Sequence, residues 1–193
     1  INIYPCGERA VTLDLGPLVG RELNQCILDL HDKIRKDPFQ GLLDVVVSYS
    51  ALTLIYDPYR LKESEKVSGS CSEWVKRYLL QEWEVTKDSV PHHYSHHQVP
   101  VLYDCEEGAD LLQLAREKKI STGELINWHC TPVYRVYMVG FLPGFPYMGE
   151  LPEILHCNRK SAPREVSAGS VGIAGKQTGI YPFDSPGGWH VIG

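Results

Sequence analysis

Residues 140–193 read GFLPGFPYMGELPEILHCNRKSAPREVSAGSVGIAGKQTGIYPFDSPGGWHVIG, and the rest of the chain is organised around this stretch. Glycine and proline recur throughout it, with Phe, Tyr, Trp and two arginines between them. Glycine serves where φ is positive or where backbone must approach something closely, and proline fixes φ and removes a donor. A chain that uses both this densely is specifying loop shapes. Shaped loops with free N–H groups can hold an anionic or carbonyl-bearing ligand.

Upstream of this stretch, Tyr134, Val136 and Met138 alternate, and Val133, Tyr137 and Val139 are apolar too. The pattern predicts a strand buried on both faces. Ser121 and Glu124 form a capping box for a short helix through His129. Leu111, Leu112 and Ala115 stripe a helix over Ala109–Lys118. Val99, Val101 and Tyr103 alternate in Gln98–Tyr103, which reads as the strand opening a domain over residues 98–193. Residues 89–97 form a linker containing PHHYSHHQ. His92, His93, His96 and His97 follow a proline and have no acidic or Cys ligand beside them, so a polar linker is expected and no metal.

Residues 1–88 form the first domain. Val11, Leu13 and Leu15 alternate as a strand. Leu23, Cys26, Ile27, Leu30 and Ile34 share a helical face, with Arg35 and Lys36 near its C-terminus. Leu43, Val45 and Val47, then Leu52, Leu54 and Tyr56, predict two strands joined by a tight turn. Lys62–Ser70 reads as a loop. Ser72 caps a helix carrying Trp74, Val75, Tyr78 and Leu79, and Glu84–Thr86 reads as a last short strand. The order β-α-β-β-α-β is the ferredoxin-like split βαβ pattern, which makes the fold class α+β.

Composition narrows the function. The 193 residues carry a net charge of −5, which argues against nucleic acid as the main partner. No apolar run is long enough to span a bilayer, and no signal peptide opens the chain, so a cytoplasmic protein is expected. The six cysteines make no C-x-x-C pair and read as free, mostly buried thiols of a reducing compartment. There is no P-loop, G-x-S-x-G elbow, H-E-x-x-H or G-x-G-x-x-G, so a self-contained ATPase or serine hydrolase is not expected.

What remains is polar groups pinned by shaped backbone. Arg159 and Arg164 flank a proline and can supply a bidentate fork for a carboxylate or phosphate. Gly169–Ser170 and Gly175–Gly179 can present N–H groups to an oxygen. Gln177 both donates and accepts, which suits an amide-like substrate. The alternative makes these glycines the turns of a small barrel and the arginines structural ion pairs. Tyr181 and Trp189 read as core or pocket wall. His129 reads as a satisfied structural histidine, with a general base as the alternative.

The segments GFLPGFPYMGELPE, RKSAPR and AGSVGIAGKQTGIYPFDSPGGWHVIG closely resemble the KipI/PxpB family, also called allophanate hydrolase subunit 1. YPCGERAVTLDLG and VPVLYD share the likeness, which covers nearly the whole chain. The resemblance implies an α/β N-terminal domain followed by a cyclophilin-like β-barrel. It also implies a partner of the KipA/PxpC type and a third subunit of the LamB/YcsF type. Together these form an ATP-dependent 5-oxoprolinase that opens 5-oxo-L-proline to L-glutamate. Other members are the carboxyltransferase part of biotin-dependent urea carboxylase, or inhibit a sensor histidine kinase. Two departures stand out. Asn158 precedes Arg159 where the family has proline, and family members continue past GGWHVIG, so the barrel is expected to be incomplete at Gly193.

On this reading the catalytic set is Arg164 as carboxylate clamp, with Gln177 and Thr178. Phe141, Phe145, Tyr147 and Trp189 wall the pocket. Gly144, Arg159, Gly169, Ser170, Gly175, Gly179, Tyr181, Ser185, Gly187 and Gly188 complete the substrate-binding surface. ATP is expected to be shared with the partner subunits, and no metal is expected in this chain.

Overall fold

A computed structural model describes residues 1–17, 20–86, 95–104 and 109–193. The fold is mixed helix and sheet, α+β, and divides into two compact units, Ile1–Tyr94 and Ser95–Gly193. The domain boundary expected at residue 88, most of the linker, His92, His93 and Cys105 lie outside the described residues.

In the first unit β1 (Asn2–Pro5), β2 (Ala10–Asp14), β3 (Leu42–Val47) and β4 (Ala51–Tyr56) form an antiparallel sheet in the order β1-β2-β4-β3. Helices α1 (Arg21–Lys36) and α3 (Cys71–Thr86) close a core of Val11, Leu13, Ile27, Leu30, Ile34, Leu52, Leu54, Val75 and Leu79. The alternation read in β2 and β4 is realised as burial. In β3 a bulge between Leu42 and Asp44 shifts the phase, so Leu43 faces outward at 49% exposure.

Three expectations fail in this unit. Glu84–Thr86 is the last turn of α3, not a strand: the Thr86 hydroxyl donates to the Glu82 carbonyl, and β1 already pairs with β2 at that side of the sheet. Lys62–Ser70, read as a loop, begins inside a helix, α2 (Pro58–Ser64), which the sequence reading did not place. Asp57 caps it by accepting from the Tyr59 and Arg60 amides, and proline occupies its first turn. Helix α3 starts at Cys71, with Trp74 N–H donating to the Ser70 carbonyl, so Ser72 lies inside it.

The second unit opens without a strand. Val101 and Tyr103 do turn inward against the core, but residues 98–103 make no ladder, and Pro100 has no N–H to give. Helices α4 (Leu111–Lys118) and α5 (Thr122–Cys130) follow, the latter with both halves of its Ser121–Glu124 capping box. The antiparallel sheet runs β11 (His190–Val191), β8 (Val171–Ala174), β9 (Gln177–Ile180), β6 (Pro146–Gly149), β5 (Arg135–Val139). A separate pair joins β7 (Arg164–Val166) to β10 (Ser185–Gly187). The five-stranded sheet is open, with β11 and β5 at its edges. The strand expected to be buried on both faces is therefore an edge strand: Tyr137 is buried, whereas Val133, Val136 and Val139 are exposed.

The described cysteines are free, but only Cys71 is fully buried; Cys6 and Cys130 are exposed. No helix among the described residues is long and apolar enough to cross a membrane. Nor do any three described His, Cys, Asp or Glu residues lie together as a metal site.

Candidate functional site

Asp110 immediately precedes α4, where a carboxylate ordinarily caps the helix. It makes no such cap. Its side chain is only 4% exposed and turns to Lys160 Nζ at 2.5 Å, to the Arg164 guanidinium and to the Val191 N–H at 2.8 Å. Its own N–H donates to the Val191 carbonyl at 2.9 Å. One buried carboxylate thus ties together the start of α4, the segment before β7 and strand β11. A buried charge has to be paired and hydrogen-bonded, and this one is, with two cations to one anion. Sequence reasoning missed Asp110 because its position before a helix is already explained by capping. It also fixes Arg164: the carboxylate that this residue clamps belongs to its own chain.

Beside this hub lies an open cleft of about 650 Å³. Helix α4 contributes Glu117 and Lys118, residues 156–162 contribute His156, Arg159 and Lys160, and β11 contributes His190. Both histidines are oriented by their backbone: His156 Nε2–H donates to the Leu151 carbonyl and His190 Nε2–H to that of Asn158, each at 3.0 Å. Lys118 Nζ donates to the His156 carbonyl. Arg159 is exposed and makes no ion pair with any described residue. Cys157 also lines the cleft, but burial pushes its thiol up to about 11, so it is no ready nucleophile. Of the residues expected in a site, Arg159 alone lines this cleft.

The aromatic residues expected to wall a pocket instead fill a core. Phe145 is 1% exposed, with ring centroids of Tyr147, Tyr181 and Trp189 at 4.9, 5.1 and 5.4 Å. Phe141 adds an edge contact at 5.8 Å but is itself largely exposed, in the turn that also holds Gly144. These rings lie directly on backbone. A Cβ at Gly179 would stand 2.6 Å from Phe145 Cζ, and one at Gly187 would overlap the Tyr181 hydroxyl. Glycine is there so that rings can touch the strands.

The amides expected to cradle a carbonyl or phosphate are engaged as well. Gly169 N–H donates to Tyr181 O at 2.7 Å, Ser170 N–H to Ser167 O at 3.2 Å, and Gly175 N–H to Cys157 O at 2.6 Å. Gly188 supplies a carbonyl to Lys160 N–H. Gln177 and Gly179 sit in the β8–β9 ladder opposite Ala174 and Gly172. Ser185 is buried opposite Val166 with its hydroxyl unpartnered among the described residues. Gln177 and Gly179 lie in β9, which has antiparallel neighbours on both sides, whereas the Gly169, Ser170 and Gly175 amides bond to carbonyls outside that strand.

Thr178, expected to be catalytic, is fully buried in a hydrogen-bond chain. Its hydroxyl donates to the Gly172 carbonyl at 3.2 Å and so accepts from His129 Nε2–H at 2.9 Å. That tautomer leaves His129 Nδ1 to accept from the Tyr103 hydroxyl at 2.6 Å. Desolvation lowers the His129 pKa to about 4, which keeps the imidazole neutral. The Tyr134 hydroxyl donates to the His129 carbonyl at 2.8 Å. Burial raises the Tyr103 and Tyr134 pKa values far above the ordinary range. The histidine is structural: it ties α5 and residues 101–103 to β9.

With this geometry in place, comparison with known proteins adds the family. The chain is 35% identical to a Bacillus subtilis protein that is named as a 5-oxoprolinase subunit, covering 100% of this chain and 81% of that one. It is 38% identical to the Haemophilus influenzae protein of the same name, covering 100% and 85%. The crystal structure of TTHA0988 superposes with a TM-score of 0.78 at 36% identity, over 96% of this chain and 34% of that one, so this chain spans about a third of its length. Kluyveromyces lactis urea carboxylase shares the fold alone, with a TM-score of 0.70 at 14% identity, over 98% of this chain and 18% of the other. A family model for the carboxyltransferase domain, subdomains C and D, matches residues 1–193, and the chain belongs to that family.

Proposed function

We propose that this chain is a non-autonomous subunit of a 5-oxoprolinase, acting with ATP and with KipA/PxpC-type and LamB/YcsF-type subunits in the cytoplasm. The observation that carries the reading is the likeness to 5-oxoprolinase subunits along the whole chain. The site geometry supports the division of labour. Arg164 is held by Asp110, Thr178 is sealed inside, and the glycine-loop amides bond within the chain. A lactam is a poor electrophile, and opening it requires activation of its oxygen and a water-excluding site. Nothing described in this chain assembles those groups by itself, so partners complete them. On the same reading the first unit is ferredoxin-like, with β1 in the place of the expected last strand, and the second is part of a cyclophilin-like barrel.

The test is 5-oxoproline-dependent ADP release. The chain alone should give negligible turnover, and the complex with both partner types should give full turnover. Robust turnover by the lone chain, or none by the complete complex, sinks the proposal.

A further inference from the structure

We propose that the cleft between α4, residues 156–162 and β11 binds the phosphoryl group of a small phosphorylated molecule. Among the described residues, Lys118, Arg159 and Lys160 line it with one carboxylate, Glu117, and Asp110 behind Lys160 is shared with a further cation, Arg164. This local excess of positive charge occurs in a chain whose net charge is −5, so composition does not account for it. Asp110 can neutralise only one of the two cations it holds. The residual charge is shared between Lys160, 18% exposed, and Arg164, 41% exposed; of the two, Lys160 lines the cleft, and poorly solvated charge favours an opposite partner.

Arg159 supplies the recognition element. It is exposed, lines the cleft and makes no ion pair with any described residue, and the planar fork suits phosphate oxygens. Lys118 stays anchored to the His156 carbonyl by one donor and retains others. Several cations around one opening suit a dianion better than a monocarboxylate, for which one arginine suffices. A volume of about 650 Å³ admits a ligand up to nucleotide size. This inference stands on the cleft itself and does not depend on the 5-oxoprolinase reading.

The experiment is calorimetric titration of the full chain with inorganic pyrophosphate and, separately, with 5-oxoproline as a monocarboxylate probe. The proposal expects one saturable pyrophosphate site. Arg159→Ala should weaken it by roughly fivefold or more, the loss of a charge-assisted contact. Arg116→Ala, an exposed α4 cation outside the cleft, should have a smaller effect. Lys118→Gln provides a second cleft variant, and circular dichroism checks that each variant is folded. Absence of a saturable site, losses in the cleft variants no greater than in the Arg116 variant, or equal affinity for 5-oxoproline overturns the assignment. Failure here leaves the turnover test of the assembled enzyme unaffected.

Discussion

The two units of this protein use glycine for different ends. In the first, Gly7, Gly16, Gly20 and Gly69 have open space where a side chain would stand. The core there, between a sheet and two helices, is mainly aliphatic with Phe39 and Tyr56 among it, and at these four positions glycine only shapes the chain. In the second unit Gly172, Gly179 and Gly187 lie against Trp189, Phe145 and Tyr181, and the rings pack on bare backbone. Ring-on-glycine packing is confined to the second unit; in the first, the tightly held glycine, Gly41, meets the backbone at Leu61 and Asp57 and no ring. A run of glycines among aromatics can therefore be a core, and here it is.

The largest effect expected from this contrast comes from adding one methyl group in each unit. Gly179→Ala puts a carbon 2.6 Å from Phe145 Cζ and 2.9 Å from the Pro146 carbonyl oxygen. The second contact is with backbone and cannot rotate away. The cost should be about 3 kcal/mol or more, at the upper end of overpacking. Gly20→Ala meets nothing within 4 Å and should cost no more than about 1 kcal/mol. Hydrogen exchange reads the two units separately. Equal losses would erase the contrast.

Acid should sharpen it next. The folded pKa of His129 is about 4, below its ordinary 6.5, so as pH falls the unfolded chain takes the proton first. Its contribution is complete above about pH 6.5 and is lost progressively towards about pH 4. At about 1.4 kcal/mol per pKa unit, the loss reaches roughly 3 kcal/mol and falls on the second unit. In the first unit the described histidine, His31, lies beside Asp32 and is partly exposed. Urea denaturation across this range should show the slope in the native protein. His129→Gln should lack it above the carboxylate range, and an unchanged slope there refutes the buried relay.

The smallest effect tests where the units agree. Asp57 caps α2 in one, and Ser121 caps α5 in the other. Asp57→Ala and Ser121→Ala should each cost about 1 kcal/mol by chemical denaturation, because capping depends on a few adjacent residues and not on the core behind them. A severalfold difference between the two would show that the cores differ in more than packing.

The legible parts of the sequence follow the same division. The capping box at Ser121–Glu124 and the alternation in β2 and β4 were readable because each is decided within one or two turns of chain. The bulge after Leu42 was not, since it depends on a partner strand. Glu84–Thr86 has strand-like composition, yet β1 holds the adjoining place beside β2 and α3 simply continues. Arg159 was found as a binding candidate, whereas Asp110 was not, because its partners Lys160, Arg164 and Val191 lie 50 to 81 residues away along the chain.

Sequence alone determined the α+β class, helices α1, α3, α4 and α5, and the family. Tertiary structure decided that glycines of residues 140–193 seat aromatic rings, that Arg164 answers to Asp110 and that Thr178 is sealed beside His129. It also decided that the open polar space lies next to α4. The physical reason is that propensity, capping and periodicity act between near neighbours, whereas burial and charge pairing depend on which distant residues the fold brings into contact.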